Sequence, residues 1–176
     1  MVFSSMRETV WDWTKTILTA VVLSLLLRTF IVEARWIPSE SMVPTFLVGD
    51  RLLVEKITVK VSSLERGDVV VFNPPAASGM TEPLIKRIIG LPGDIIRVRS
   101  GVVYVNDQPQ HEPYILEKAK QNFGPYTVPE HSLFVMGDNR NNSYDSRFWG
   151  PVPQTMVIGK AFFKFYPLQR ISLIKH

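Results

Sequence analysis

Two residues of this chain have types and surroundings that suit covalent catalysis at a carbonyl group. Ser41 lies in the stretch PSESMVPT, and Lys86 lies in the apolar stretch PLIKRIIG. A serine hydroxyl is a weak nucleophile and needs an adjacent base, which a neutral lysine can supply. A lysine is neutral near pH 8 only when burial lowers its pKa from about 10.4, at a cost of roughly 3 kcal/mol. Ser41 and Lys86 are therefore a candidate nucleophile and base.

Each of these residues also has a plainer interpretation. A serine before Met-x-Pro-Thr is typical of a turn or a cap. Alternation along the predicted strand puts Leu84, Lys86 and Ile88 on one face, where a lysine is also typical of a solvated edge strand. The polar segment GDNRNNSYDSR, residues 137–147, suits a turn whose side chains bond their own backbone. The residues taken one by one leave both interpretations open.

Composition excludes several other chemistries. The chain has no cysteine, and its three histidines (His111, His131 and His176) are scattered and form no H-E-x-x-H motif, so we expect no metal centre and no cofactor. The net charge is only +4 and the basic residues are dispersed, so nucleic acid is not an expected partner. A hydrophobic content of 45% predicts a packed core.

The elements that position the candidate residues begin with an apolar N-terminal run. Residues 17–27 are almost entirely aliphatic, and extension to residue 32 approaches the roughly 20 residues that a bilayer requires. Arg28, near the end of the run, would extend to the lipid headgroups. We therefore expect a tail over residues 1–14 and a membrane anchor over residues 15–34.

Two alternatives to an anchor remain. The run is also compatible with a cleavable signal ending at Val32-Glu33-Ala34, or with a helix buried in a core. Basic residues flank the run almost equally on both sides, so the sequence alone does not decide its orientation in a membrane.

Short β-branched and aromatic runs follow the N-terminal segment. Gly-Asp, Pro and Ser-Gly turns separate these runs, and the alternation on both sides of Ser100-Gly101 predicts a β-hairpin. No long amphipathic helix interrupts them. Residues 35–176 are therefore predicted to form one mostly β domain.

Four motifs follow one another along the chain: PSESMVPT, GDRLLVEK, LIKRIIGLPGD and GDNRNNSYDSRFWGPV. Their order resembles the bacterial type I signal peptidases, over roughly residues 10–167, and looks similar to the versions found in photosynthetic bacteria and plastids. The resemblance implies a single transmembrane helix followed by a compact antiparallel β catalytic domain. It also implies a membrane-anchored serine endopeptidase that removes signal peptides from exported preproteins through an acyl-enzyme.

The resemblance implies a role for each matched residue. Ser41 would be the nucleophile and Lys86 the general base, while Ser39 and the Ser41 backbone N–H would form the oxyanion hole. The position between the two serines, often glycine in the family, is Glu40 here.

Three further residues would support the dyad by the same resemblance. Ser143 would hydrogen-bond to Lys86 and orient it. Asp145 and Arg147 would pair and brace the polar loop.

Substrate selection would rest on shallow apolar pockets that accept small side chains, and Ile37, Leu84 and Ile85 flank the catalytic positions. The expected partners are secretory preproteins with small residues at the cleavage site, the lipid bilayer and, nearby, the translocation channel. The resemblance implies a single-pass protein of the plasma or thylakoid membrane, with a cytoplasmic N-terminus and the catalytic domain on the outer side.

Two other functions compete with this one. A membrane-tethered β binding module without catalysis is disfavoured because Ser41, Lys86 and Ser143 are all present. A self-cleaving Ser-Lys regulator of the SOS repressor type would need a helix-turn-helix, whereas residues 1–36 offer an apolar run.

Overall fold

The N-terminal segment is a long helix that leads directly into a sheet. The computed structural model describes the backbone of residues 2–61 and 63–174, and the side chains of residues 9–25, 31–59 and 63–174. Helix α1 spans Val2–Phe30. Its described apolar side chains between Ile17 and Leu25 are exposed. Within the described residues, no helix has both the length and the apolar character needed to cross a bilayer.

The segment predicted as the anchor, residues 15–34, includes the end of α1 and the start of a strand. Strand β1 (Val32–Trp36) pairs with the next strand, with Glu33 opposite Val54. Glu33 also forms ion pairs with Arg35 and Lys56, which favour a strand at a wet surface over continued helix. The side chain of Arg28 and the whole of His176 lie outside the described residues.

The rest of the chain is mostly β, as predicted. The strands of the described residues are, in chain order, β1 (Val32–Trp36), β2 (Arg51–Glu55), β3 (Val69–Phe72), β4 (Leu84–Gly90), β5 (Ile95–Arg99), β6 (Val102–Val105), β7 (Gln108–Pro109), β8 (Phe123–Thr127), β9 (Ser132–Met136), β10 (Val152–Pro153), β11 (Val157–Tyr166) and β12 (Ser172–Leu173). The short helices are α2 (Thr58–Val61) and α3 (Ser146–Trp149).

These strands form two antiparallel sheets. The larger sheet has the order β1-β2-β11-β3-β4-β9-β10, with β12 paired to β11, and the smaller sheet has the order β7-β6-β5-β8. The predicted hairpin is present as β5 and β6, and its turn residues Ser100 and Gly101 have φ values of 51° and 79°. Positive φ at both central positions matches the twist of the flanking strands.

Strand β4 occupies the interior of the larger sheet, between β3 and β9. Lys86 is only 3% exposed, so the interpretation of this lysine as solvated is wrong. Pairing with β9 begins at Arg87, opposite Met136, whereas Leu84, Ile85 and Lys86 pair with β3 alone among the described strands. The first half of β4 thus keeps one open edge next to the base.

Three apolar clusters hold the strands together. One lies beneath the serine-containing loop and includes Ile37, Met42 and Phe46. The second packs the smaller sheet against β9, and the third packs Trp149 and Val152 against β3 and β4. The loop between β1 and β2 and the loop after β9 are therefore both fixed at their bases by buried side chains.

Candidate active site

Ser41 lies in a 3₁₀ turn, Glu40–Met42, that the hydrophobic core holds in place. Met42 next to it is completely buried, and Phe46 N–H donates to the Met42 carbonyl. Ile37 closes the base of the loop by exchanging backbone hydrogen bonds with Gly49 and Asp50. The Ser41 side chain is thereby presented from a rigid turn, with the residue only 8% exposed.

Lys86 and Ser41 meet although they are 45 positions apart in the sequence. The Lys86 Nζ atom is 2.7 Å from Ser41 Oγ and donates a second hydrogen bond of 3.0 Å to the Ile85 carbonyl. When the amine is neutral, its lone pair can instead accept the Ser41 proton over the same distance. His111 and His131 are exposed, and neither is a hydrogen-bonding partner of Ser41.

The environment of Lys86 favours the neutral amine. Burial lowers the pKa of Lys86 from 10.5 to about 8, while the charges of Asp145 and Asp138 act in the opposite direction. Both carboxylates are themselves paired with arginines, Asp145 with Arg147 and Asp138 with Arg87. This pairing weakens their attraction for the lysine proton, so desolvation dominates.

Ser39 lies beside the nucleophile. Its hydroxyl oxygen is 3.3 Å from Ser41 Oγ, and its side chain is exposed. Glu40 points outward and accepts a 3.2 Å hydrogen bond from Asn142 through its carboxylate. The two serine hydroxyls therefore lie within hydrogen-bonding reach of each other.

Ser143 hydrogen-bonds to a different residue from the one predicted. Its hydroxyl donates a 2.7 Å hydrogen bond to Asp145, and the Lys86 amine is bonded to Ser41 and Ile85 rather than to Ser143. The direct Ser143–Lys86 hydrogen bond expected from the resemblance does not form in the part of the chain that the structure describes. Asp145, which accepts from Ser143, acts on Lys86 through its charge.

Asp145 organises the polar loop. Its carboxylate accepts hydrogen bonds from the Arg147 guanidinium, the Ser143 hydroxyl and the Gly137 N–H, and it caps helix α3 by accepting from the Arg147 N–H. Arg147 also donates to the Arg140 carbonyl. The structure therefore brings Asp145 and Arg147 together behind the dyad.

The same loop contacts the nucleophile turn through residues that the sequence did not single out. The Asn139 backbone N–H donates to the Ser41 carbonyl at 3.1 Å, and its side-chain amide donates to the Glu40 carbonyl at 3.1 Å. A methyl group on Gly137 would overlap the Ser41 carbonyl oxygen and the Ser143 hydroxyl. The density of Asn and Asp in GDNRNNSYDSR was the only signal of these contacts, and it equally predicted a self-contained turn.

A buried charge network ties Arg87, the neighbour of Lys86, to the smaller sheet. Arg87 donates two hydrogen bonds to Asp138, at 2.9 and 2.7 Å, and these side chains are 1% and 0% exposed. The Tyr114 ring lies 4.0 Å from the Arg87 guanidinium carbon. Arg140, bonded twice to Glu112, has its guanidinium carbon 6.0 Å from the centre of that ring. Residues 112–114 belong to the connection between β7 and β8, so both sheets contribute to this network.

A groove of about 380 Å³ is lined by residues next to Lys86 in the chain and by the segment that precedes the nucleophile turn. All three residues named as pocket candidates, Ile37, Leu84 and Ile85, line it, together with residues 33–36, Pro38, Val71, Glu82 and Pro83. Its floor is mostly apolar. One wall comes from β1, whose outer side is an edge of the larger sheet, and the other from the start of β4.

The sequence of this chain is similar to those of a known protein family. The family model described as "Signal peptidase, peptidase S26" matches residues 10–166. A probable signal peptidase I-2 of Synechocystis sp. is 48% identical over 171 residues, covering 95% of this chain and 78% of the relative. A probable thylakoidal processing peptidase 2 of Arabidopsis thaliana is 40% identical over 167 residues, covering 92% of this chain and 46% of the relative.

A solved structure is similar as well. A signal peptidase I of Enterococcus faecalis V583 superposes with a TM-score of 0.51 and 31% sequence identity, covering 57% of this chain and 98% of the other. The resemblance inferred from the four motifs, including the link to photosynthetic organisms, is confirmed by these matches.

Proposed function

The chain belongs to the signal peptidase family, peptidase S26, and we propose that it removes signal peptides from exported preproteins with Ser41 as nucleophile and Lys86 as general base. The single observation that carries the assignment of the dyad is the 2.7 Å contact between the Lys86 amine and the Ser41 hydroxyl. Together with the burial that lowers the lysine pKa to about 8, it supports a base that is partly neutral at physiological pH.

The first half of the reaction forms an ester on Ser41. Lys86 Nζ accepts the Ser41 proton as Oγ attacks the carbonyl carbon of the scissile bond. The resulting ammonium then gives that proton to the departing amine nitrogen as the carbon–nitrogen bond breaks. The mature protein leaves, and the signal peptide remains attached to Ser41 as an acyl-enzyme.

The second half releases the signal peptide. The Lys86 amine, neutral again, takes a proton from water, and the hydroxide attacks the ester carbonyl. Lys86 returns that proton to Ser41 Oγ when the ester bond breaks. Arg87 is not a substitute base because a guanidinium stays charged.

In both halves, negative charge develops on the carbonyl oxygen. We propose the Ser41 backbone N–H and the Ser39 hydroxyl as its donors, a role supported by the 3.3 Å separation of the two serine oxygens. Loss of one such donor typically costs a factor of about 10² to 10³ in rate.

The groove beside the dyad fits an extended peptide with small side chains. Its volume of about 380 Å³ is shared along several residues, and Ile37 and Ile85 limit its depth next to the dyad. The open edge at the start of β4 and the free edge of β1 both offer backbone groups for β-strand addition. Precursors with small residues before the cleavage site are therefore the proposed substrates.

We also propose that α1 anchors the enzyme in the membrane, with its N-terminus cytoplasmic and the β domain outside. The exposed apolar side chains between Ile17 and Leu25 and the aliphatic sequence that continues to Leu27 support this. An anchor of this kind keeps the active site where signal helices and the translocation channel lie, which raises their effective concentration.

The decisive test uses the full-length protein in detergent and one secretory precursor. Ser41→Ala and Lys86→Ala should each abolish cleavage while circular dichroism shows an unchanged fold, and His131→Ala should cleave like the wild type. A Lys86→Ala enzyme that still cut the precursor would remove the dyad assignment. A wild type that bound the precursor without cutting it would instead favour a binding module.

A further inference from the structure

We propose that Asn139 is a positioning residue that aims the Ser41 backbone N–H at the developing oxyanion by holding the same peptide bond from its other end. The inference rests on the proposed function, because it assigns the Ser41 N–H to the oxyanion hole. It goes further by identifying what fixes the direction of that N–H.

The geometry of one peptide bond carries the argument. The Glu40–Ser41 peptide is planar, so its C=O and its N–H point in opposite directions and cannot be reoriented separately. The Asn139 side-chain amide donates to the Glu40 carbonyl oxygen at 3.1 Å. The Val43 N–H donates to the same oxygen, also at 3.1 Å. With both of its acceptor sites occupied, this carbonyl resists rotation, and the N–H on the opposite side keeps its direction.

A second contact from Asn139 holds the following peptide bond. Its backbone N–H donates to the Ser41 carbonyl at 3.1 Å. One residue thus fixes the peptide bonds before and after the nucleophile. A hydrogen bond to the Glu40 carbonyl also polarises that amide, which makes the Ser41 N–H a stronger donor.

Asn139 is itself held rigidly. It is 7% exposed, and it follows Asp138, whose carboxylate is fixed by two hydrogen bonds from the buried Arg87. The Asn142 N–H donates to its backbone carbonyl. The amide therefore approaches the nucleophile turn from a fixed support, as a positioning group must.

The side-chain type matters as well as its position. An asparagine amide offers two N–H donors to a carbonyl, whereas an ionised aspartate of nearly the same shape offers only acceptors. Asn139→Asp would therefore place negative charge against the Glu40 carbonyl and favour rotation of the peptide away from it. Asn139→Ala would leave the Val43 N–H as the remaining donor to that oxygen.

The loop supplies a matched control. Asn142 also donates its side-chain amide to Glu40, but to the carboxylate Oε2 atom, at 3.2 Å and in an exposed position. That hydrogen bond is made to the side chain of Glu40, so it does not fix the orientation of the Glu40–Ser41 peptide plane. Asn142→Ala removes the same functional group from the same loop and the same partner residue.

The experiment measures precursor cleavage by the full-length wild type and the three variants, together with inhibition by a peptide boronic acid ending in alanine. The boronate forms a tetrahedral adduct with a serine hydroxyl and places one oxygen where the oxyanion develops. For Asn139→Ala we expect kcat to fall about 10- to 100-fold, KM to stay within about twofold, and the boronate inhibition constant to rise by a factor similar to the fall in kcat. Asn139→Asp should be at least as impaired, and Asn142→Ala should stay within about twofold of wild type.

Two readouts separate positioning from a merely structural role. For Asn139→Ala the midpoint of the pH–rate profile should not move, because the effect does not pass through Lys86, and thermal unfolding should show that each assayed variant is folded. Asn139→Asp is left out of the pH readout, because its added carboxylate would raise the pKa of Lys86 as Asp138 and Asp145 do. If Asn139→Ala does not fold, the near-isosteric Asn139→Asp decides the question through kcat and boronate inhibition. A folded Asn139 variant with wild-type kcat, a loss equalled by Asn142→Ala, a shifted pH midpoint in Asn139→Ala, or unchanged boronate inhibition would overturn the inference.

The wild-type result tests the proposed function separately from the role of Asn139. A wild type that does not cleave the precursor would contradict both the proposed function and the role of Asn139. A wild type that cleaves it, with Asn139 variants that cleave equally well, would contradict the role of Asn139 alone.

Discussion

The Lys86 amine and the Ser41 hydroxyl lie 2.7 Å apart in a site where the lysine is 3% exposed. The amine comes from an interior strand and the hydroxyl from a separate 3₁₀ turn, so this contact exists only in the folded chain. Its chemistry depends on water being kept from the amine, and that dependence can be tested by pH.

The pH dependence of cleavage should follow the proton on Lys86. Because burial lowers the pKa of Lys86 to about 8, kcat/KM should rise about tenfold per pH unit below that value and level off above it. Asp145→Asn removes the larger of the two charges that raise this pKa, so the midpoint should move to lower pH even though the maximal rate falls. Initial rates on one precursor across the pH range check both expectations. A rate that is independent of pH from about 6 to about 9 would contradict the assignment of the base.

Replacing the base by an apolar residue should stabilise the folded protein. In the wild type, the folded state holds its lysine proton less tightly than the unfolded chain, so stability rises with pH between about 8 and 10.5 and is lowest below pH 8. Lys86→Met removes that cost, and we expect a gain of about 1–3 kcal/mol in the free energy of unfolding at pH 7. The gain should shrink as pH approaches 10.5.

Denaturant unfolding at pH 7 and at pH 10 measures this change. Lys120→Met, at an exposed lysine, serves as the control and should give little difference at either pH. Destabilisation by Lys86→Met at neutral pH would show that the hydrogen bonds of the amine outweigh its desolvation.

Gly137→Ala should disable the enzyme through the nucleophile turn. The added methyl group would overlap the Ser41 carbonyl oxygen, a backbone atom that can move only with the whole turn. We expect a fall of at least about 100-fold in kcat/KM, together with destabilisation of about 1–3 kcal/mol. Precursor cleavage and denaturant unfolding measure the two effects.

Gly93→Ala provides the comparison. Gly93 has φ of 83° and an added methyl group would meet no atom within 4 Å, so this variant should lose stability through backbone strain but retain its catalytic rate. Equal cleavage by Gly137→Ala and the wild type would mean that the loop after β9 does not constrain the nucleophile.

Ile85→Ala should broaden the choice of substrate. Ile85 lines the groove next to the base, so shortening it deepens the position occupied by a substrate side chain. Peptides with leucine or valine before the scissile bond should gain about tenfold or more in kcat/KM relative to the alanine peptide. Ile57→Ala, at an exposed position outside the groove, should leave that ratio unchanged. An unaltered ratio for Ile85→Ala would remove it from the pocket.

Sequence patterns predicted local structure well where a single segment determined it. The hairpin at Ser100-Gly101 formed because both residues can adopt positive φ, and the β-branched runs became strands. The helix end at Phe30 was missed because the hydropathy of residues 31–34 continues the apolar run, whereas Glu33 and Ala34 pair with β2.

Contacts between distant segments could not be predicted in the same way. Whether Lys86 is solvated or buried depends on the nucleophile turn that packs against it from 45 positions earlier, which no local pattern specifies. The partner of the Asn139 amide is 99 residues away. The hydrogen bond from Ser143 to Asp145 likewise depends on the side-chain geometry of the folded loop, which motif order does not resolve.

Arg87, beside the base, limits how far the protein can be shortened. Its guanidinium stacks on Tyr114, and the neighbouring Arg140 takes its counter-charge from Glu112, so both depend on the connection between β7 and β8. A version trimmed of the smaller sheet would leave Arg140 without its carboxylate and expose the Arg87–Asp138 pair to solvent. The segment from Glu112 to Tyr114 must therefore stay with the catalytic core in any shortened version.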